Sequence, residues 1–340
     1  MLLDFTGNGI YCPQADLYVD PWKPVKKALI THGHADHSRW GHKQYLSTKT
    51  AAPVIRHRLG DIRLESVDFG EVLSVNGVKI SFHPAGHIIG SAQIRLEYKG
   101  EVWVVSGDYK LENDGLTESF EPVRCHTFIT ESTFGLPVYH WKPQKEVFDD
   151  INQWWATNKE QGKTTVLTGY ALGKAQRIIQ NLDESLGVIY THGAIENVNE
   201  VVRGQGIPLK DTVRVTPEVP KEAYPGNIVI ATPSAVGSAW IRKFAPFSIG
   251  SASGWMNLRG ARRRRSVDRG FVLSDHADWK GLNTAITESG AERVFVTHGY
   301  TSVFSQWLNE KGIEAAIVET QFEGELAEIG ESTEKEEQDT

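Results

Sequence analysis

Five short apolar runs in this chain each stop abruptly at a polar or glycine-bearing turn: "KKALITHGHADH", "EVWVVSGDYK", "HTFITESTFG", "GFVLSDHADW" and "ERVFVTHGY". The runs at 102–105 and 294–296 are rich in β-branched and aromatic residues, the composition of strands buried on both faces. A strand that ends in functional side chains delivers them to the carboxyl edge of its sheet, where α/β proteins gather their sites. Such deliveries predict an α/β fold with one site assembled from distant parts of the chain.

The middle of the chain reads differently. "TTVLTGYALGKAQRIIQNLDES" predicts a strand to Leu167, a glycine turn, then a helix whose apolar Ala175, Ile178, Ile179 and Leu182 recur at helical spacing. "GVIYTHGAIENVNEVV" and "NIVIATPSAVGSAW" predict further strand-then-loop units. Together they predict a parallel α/β lobe over 136–268. Polar strand ends of one type lie on both sides of it, so the lobe is expected as an insertion into a domain formed by 1–135 and a return segment 269–322. The triplet Thr-His-Gly recurs at Thr31, Thr191 and Thr297 with no longer period around its copies, which predicts repeated loop chemistry and not a repeat architecture.

With 340 residues, 40% hydrophobic and 23% charged, the chain can bury a large core. It shows neither a basic-then-apolar leader nor an apolar run near the roughly 18 residues of a membrane helix, so a soluble cytoplasmic protein with no membrane partner is expected. Cys12 and Cys125 are too few for a disulfide framework or a thiolate zinc site, which leaves histidine and carboxylate to hold any metal. The net charge of -7 argues against coating nucleic acid through a global positive field. Charge is uneven, however. The end from Glu323 on carries eight acids and one lysine, which predicts a solvated, disordered tail over 323–340. "RGARRRRSVDRG", with six arginines, reads either as a solvated loop or as a phosphate-contacting patch.

"THGHADH" sets His32, His34, Asp36 and His37 close together. Neutral imidazole and carboxylate suit zinc or manganese. In an extended segment His32 and His34, two apart, point to the same side and can share one ion. Past the turn, Asp36 and His37 can face a second ion about 3.5–4 Å away, the spacing of two-metal hydrolases. Distant strand ends supply the remaining ligands: His87 in "PAGHIIGSAQ" for the first ion, Asp108 in "SGDYK" as a bridge, and His298 in "VTHGY" for the second. So dense a set would cost stability without a cation to pair it.

His-x-His-x-Asp-His followed by single His, Asp and His residues on later strands resembles the metallo-β-lactamase fold, with Asp20 in "LYVDP" at the place of its early structural aspartate. "ITESTFG" with Glu131, "SDHADW" with His276 and "VTHGY" with His298 resemble the A, B and C motifs of the β-CASP nucleases; "GYALGKAQ" and "SASGWM" resemble their inserted lobe. The resemblance runs from Asp20 to His298, and in "THGHADHSRWGH" it is to the bacterial ligase-associated DNA exonucleases. It implies a metallo-β-lactamase αββα sandwich with an inserted parallel α/β β-CASP lobe, holding two divalent ions, Zn2+ and/or Mn2+. The implied activity is hydrolysis of phosphodiester bonds in DNA that is single-stranded or has a free end, 5′ to 3′, in DNA repair beside partners such as a ligase. Asp36 and Asp108 are then catalytic as well as ligands, and His276, oriented by Glu131, is the implied donor to the leaving oxygen.

In the lobe, Ser251, Ser253 and Gly254 offer hydroxyl and N–H groups to phosphate, and Lys174 opens a helix whose N-terminus favours anions. Arg262, Arg263, Arg264 and Arg265 then read as a track for the strand. The small residues equally suit tight turns, and Trp255, Tyr170 and Trp240 read as base-stacking platforms or as core. His42 and His192 read as non-ligands. At the last motif the Artemis-like DNA nucleases have an apolar residue and the RNA endonucleases a histidine, as here at His298, so an RNA-processing nuclease of the same fold stays open. A small-molecule hydrolase fits less well, since it needs no inserted lobe, and a silent scaffold less well again, since no ligand is missing.

Overall fold

The structure, a computed structural model, describes residues 1–258 and 267–322. Arg262, Arg263, Arg264, Arg265 and the acidic tail lie outside the described residues. The chain forms two compact units, one of Met1–His140 with the described residues from His276 on, the other of the described residues of Trp141–Asp275.

Six strands form the first sheet in the order of the chain: β1 (Asp4–Thr6), β2 (Gly9–Cys12), β3 (Leu17–Val19), β4 (Lys27–Leu29), β5 (Gln44–Thr48) and β6 (Leu64–Val67), with α1 (Ala52–Leu59) between the last two. The next five are β7 (Leu73–Val75), β8 (Val78–Pro84), β9 (Ala92–Tyr98), β10 (Glu101–Val105) and β11 (Thr127–Ser132). The second unit contributes α2 (Gln144–Glu160), β12 (Thr164–Thr168), α3 (Lys174–Asn181), β13 (Ile189–Thr191), α4 (Gly193–Gly204), β14 (Val213–Arg214), β15 (Ile228–Ala231), β16 (Phe247–Ala252) and β17 (Arg269–Phe271). The chain then completes the first unit with α5 (Trp279–Ser289), β18 (Arg293–Gly299), α6 (Thr301–Glu310) and β19 (Glu314–Ile317). That unit's second sheet has the order β19-β18-β11-β10-β9-β8-β7.

The side chains of β10 explain the layering of the first unit. Trp103 and Val105 enter a core shared with Ile10, Val19, Leu29 and Val67 of the first sheet, while Val102 and Val104 pack with Leu282, Ala285, Phe304 and Leu308 of α5 and α6. This is the two-residue period of a strand buried on both faces. Phe128 and Ile129 of β11 divide between the same two cores. On its outer face the first sheet packs Ala28, Tyr45 and Leu64 against Ala52 and Ile55 of α1. The layers are therefore helix, sheet, sheet, helix. Trp103 is completely buried at the centre, where truncation to alanine costs about 3–5 kcal/mol. Cys12 and Cys125 are both free thiols, each buried in one of these cores.

The second unit is built on a parallel sheet, β14-β13-β15-β12-β16-β17. Ile178 and Ile179 of α3 and Trp154 and Trp155 of α2 bury against Leu167, Ile189, Ile228 and Ile230 of its strands. The sequence placed 269–275 in the return segment of the first domain. Arg269, Gly270 and Phe271 instead pair with Gly250, Ser251 and Ala252 of β16, so the chain leaves the second unit only at Asp275. No helix among the described residues is long and apolar enough to cross a membrane.

Candidate metal centre

His32, His34, Asp36 and His37 lie in the loop after β4, His87 follows β8, Asp108 follows β10, and Glu131 and His298 stand near the ends of β11 and β18. β10, β11 and β18 are parallel, and β9 is antiparallel to both β8 and β10, so the four strands that carry or precede these residues, β8, β10, β11 and β18, end at one edge. The Ala92 N–H donates to Thr31 O at 2.8 Å, which ties the loop of the first sheet to the second. Close approach requires glycine at two points. Gly107 has φ 57, and a Cβ there would lie 2.7 Å from Thr31 Oγ1; Gly299 has φ 94, and a Cβ there would collide with the Ser132 carbonyl.

The ligand atoms converge on Asp108. Its Oδ2 lies 3.5 Å from His32 Nε2, 3.5 Å from His37 Nε2 and 3.8 Å from His87 Nε2, and its Oδ1 lies 3.1 Å from His298 Nε2. Asp36 Oδ2 stands 3.6 Å from His37 Nε2, and His34 Nδ1 3.0 Å from His87 Nε2. Two ligands each about 2.1 Å from a common tetrahedral ion sit about 3.4 Å apart, so the separations of 3.5 to 3.8 Å suit shared coordination better than direct hydrogen bonding, while the His34–His87 and His298–Asp108 pairs stand at hydrogen-bond distance. His32 Nε2, His37 Nε2, His298 Nε2 and Asp108 Oδ1 are buried without a hydrogen-bond partner. Four such atoms turned toward one point are costly unless a cation satisfies them. Two sets able to hold an ion result, His32, His34, His87 and Asp108 in one and His32, Asp36 and His37 in the other, with ligand atoms within 4.8 Å of one another in each.

Neighbouring groups fix which ring nitrogen faces the centre. The Thr31 hydroxyl donates to Asp20 Oδ2 at 2.5 Å, so its oxygen is free to accept from His32 Nδ1 at 3.0 Å, leaving the Nε2 lone pair for an ion. Asp20 also accepts the Thr31 N–H at 2.8 Å and holds His37 Nδ1 at 2.8 Å. At the third Thr-His-Gly triplet, Thr297 Oγ1 donates to Thr130 O at 2.9 Å and stands 3.2 Å from His298 Nδ1. The middle triplet does something else: Thr191 donates to Glu196, and His192 caps α4 by accepting the Ala194 N–H at 3.2 Å. His42 also lies apart, accepting the Val25 N–H at 3.3 Å, its pKa pushed down to about 4 by burial and then by Arg39.

The electrostatics call for positive charge. Burial opposes charge on His37, yet Asp108, Asp36 and Asp20 together raise its pKa to about 10. Burial likewise opposes ionised Asp36 and Asp108, but the surrounding imidazoles, His37 first, hold both below the ordinary carboxylate range. His32 is held well below the ordinary histidine range by burial and then by the charge on His37, so it is neutral, as a ligand must be.

His276 stands beside this cluster. Its Nδ1 is 2.9 Å from Glu131 Oε2, and Glu131 Oε1 accepts the Tyr109 N–H at 2.8 Å, so the carboxylate is anchored on its backbone side while it orients the ring. Asp108, Glu131 and His276 also come close enough to form a third set of potential ligands. The groups that brace the loop carry no signal in the sequence. Arg58 donates to Gly33 O at 2.8 Å and Ser38 Oγ at 2.6 Å, Arg39 donates to Asp36 O at 3.2 Å, and Phe322 stacks on His37 with ring centroids 4.3 Å apart. A guanidinium reaching a carbonyl across the fold leaves no local sequence pattern.

In the second unit, Thr168 of β12 pairs with Ser251 of β16, so the loops that follow these strands leave one edge. Ser253 Oγ accepts the Trp255 N–H at 3.3 Å and caps the turn Gly254–Asn257. Lys174 differs from the sequence expectation of a phosphate contact: it is 1% exposed, with Nζ 3.9 Å from Asp275 Oδ2 and 5.1 Å from the Tyr170 ring centre, so its charge is answered inside the unit. Arg177, also buried, donates to Ser274 O at 2.6 Å and meets Asp275 Oδ1 at 3.1 Å. Trp240, half-buried, packs edge-on against Phe244 and His192 at the margin of a core cluster.

No protein-family model matches the chain. It is similar to a probable DNA ligase of Opitutus terrae, 32% identical over 315 residues that take in 91% of this chain and 30% of the relative. An endoribonuclease YSH1 of Eremothecium gossypii is 35% identical over 124 residues, 36% of this chain and 16% of the relative. The chain thus spans less than a third of the length of these curated relatives. Among solved structures, a protein of unknown function from Enterococcus faecalis V583 matches with a TM-score of 0.61 at 10% identity, over 87% of this chain and 80% of that one, a likeness of fold alone. Together with the motifs at its strand ends, these matches make the chain similar to the β-CASP metallo-β-lactamase nucleases.

Proposed function

We propose that this protein is a two-metal nuclease, its first unit a metallo-β-lactamase αββα sandwich and its second the inserted β-CASP lobe. The observation that carries the proposal is the convergence of His32, His37, His87 and His298 on Asp108 beside a histidine already held by a carboxylate. His32, His34 and His87 would hold one ion, Asp36, His37 and His298 the other, and Asp108 would serve both. Divalent ions bound there supply charge stabilisation to the attacking and leaving oxygens of a phosphodiester. Asp108 and Asp36, both buried, would contribute the negative charge that holds the cations. His276, kept in one orientation by Glu131, offers Nε2 as the proton donor to the leaving oxygen.

DNA is the proposed polymer, single-stranded or with a free end, degraded 5′ to 3′ in a repair setting in the cytoplasm, with a ligase as the partner class. The relative named a DNA ligase, similar over most of this chain, supports that choice. A second proposal, RNA processing, is supported by His298 and by the relative named an endoribonuclease. Ser251, Ser253 and Gly254 remain the proposed phosphate contacts of the lobe, and the arginines from 262 to 265 its proposed track. An end-labelled digest of single-stranded DNA and RNA, run with manganese and with zinc, tests both polymers and the polarity at once. Shortening of 5′-labelled DNA with RNA intact supports the first proposal; internal cuts in RNA alone replace it with the second; intact DNA and RNA under both metals overturn the nuclease assignment.

A further inference from the structure

Beside the metal loop the first unit carries a surface that the proposed site does not use. Trp40, three residues after His37, is 73% exposed. Burying an indole is among the largest apolar gains open to a fold, and here it is forgone. The loop is nonetheless firmly held. The Tyr45 hydroxyl donates to Arg39 O at 3.1 Å and accepts the His42 N–H at 3.0 Å, which brackets Trp40 on both sides. The Val25 N–H donates to His42 Nδ1 at 3.3 Å, and the Lys43 N–H to Val25 O at 3.0 Å, so the loop is fastened to the segment preceding β4. That segment and the loop, joined also by the pairing of Lys27 with Gln44, carry Lys23, Lys26, Lys27 and Lys43, all exposed, and none of them is taken up by an ion pair among the described residues.

An aromatic face held out on a rigid loop among uncompensated lysines is the combination that grips an unpaired strand: bases stack on the ring whatever their identity, and ammonium groups follow the phosphates. An apolar protein surface would find little here, since Trp40 stands in the chain between Arg39 and Gly41, and Gly41 lies against Pro24. The local positive charge also stands against a chain whose net charge is -7. The geometry points to a single-strand tether on the metal-bearing unit itself, in which Trp40 stacks on an unpaired base and Lys23, Lys26, Lys27 and Lys43 contact the backbone of the same strand. The inference rests on the nuclease proposal and specifies its substrate: a strand with at least one unstacked nucleotide.

The test uses the full, metal-loaded chain and fluorescein-labelled single-stranded phosphorothioate oligonucleotides, which resist cleavage, in a DNA arm and an RNA arm, with binding read by fluorescence anisotropy. Trp40→Ala is expected to weaken binding of the preferred polymer by about 10-fold, and Trp40→Phe to restore most of it. The triple variant Lys23→Glu, Lys26→Glu, Lys43→Glu should flatten the dependence of log affinity on log salt by about 2. Unchanged metal content by mass spectrometry shows that the variants retain the centre. Wild-type affinity and salt slope in both Trp40→Ala and the triple variant, with the wild-type chain binding strands normally, overturns the tether alone. A wild-type chain that binds neither polymer overturns the tether together with the nuclease proposal.

Discussion

Thr297 stands to His298 as Thr31 stands to His32: in each pair the hydroxyl donates away from the ring and lies 3.2 Å or 3.0 Å from its Nδ1. One device, used on two different sheets, turns both Nε2 lone pairs toward Asp108. Replacing Thr31 or Thr297 by valine keeps the shape and removes the acceptor. Each variant should bind metal about 10–100-fold more weakly, measured by competition with a chelating dye, while serine at either position preserves affinity. Equal affinity in the valine variants would show that the tautomers are set elsewhere.

Asp20 organises the same loop from behind, through Thr31 and His37. Asp20→Ala leaves the His37 Nδ1 without its acceptor and should reduce affinity for the ion bound through Asp36 and His37 more than for the ion bound through His34 and His87. Two-step metal titration by calorimetry distinguishes the steps. An equal loss in both would assign Asp20 a general folding role.

Proton linkage follows from His37. In the metal-free chain it is protonated below its pKa of about 10, because Asp108, Asp36 and Asp20 outweigh burial. An ion binding at Nε2 must displace that proton. Affinity therefore rises with pH, by about tenfold per unit between pH 7 and 9, and flattens above 10. Calorimetry in buffers of different ionisation enthalpy should record about one proton released on this account. Affinity independent of pH over that window would remove His37 from the ligands.

His276 is expected to act on turnover and not on metal. His276→Ala should lower turnover about 10²–10⁴-fold with both ions retained, and Glu131→Gln should do so less severely. Metal analysis beside kinetics is the check, and loss of an ion from His276→Ala would make it a ligand.

The convergence of the candidate ligands was legible because they sit at strand ends, where an apolar run breaks into histidine or aspartate, and because His32, His34, Asp36 and His37 share one short stretch. The second unit's helix over Ala175 to Leu182 was legible for a similar reason, a 3.6-residue period between a glycine turn and a polar end. Three things escaped. Residues 269–275 ended in the second unit because pairing of β17 with β16 depends on a partner strand and not on local composition. Lys174 reads as a helix-start cation, and only its burial beside Asp275 reveals an internal ion pair. Arg58 and Phe322 brace the metal loop from afar, and long-range contacts of that kind leave no spacing to read, while Arg39 does so locally through the Asp36 carbonyl.

The central claim is that two ions share Asp108. Native mass spectrometry of the intact chain, with metal content checked by elemental analysis, counts them directly. The account predicts two divalent ions per wild-type chain and one in the double variant Asp36→Ala, His298→Ala, whose remaining ligands His32, His34 and His87 still hold the first. A single ion in the wild-type chain, or two in the double variant, would contradict it.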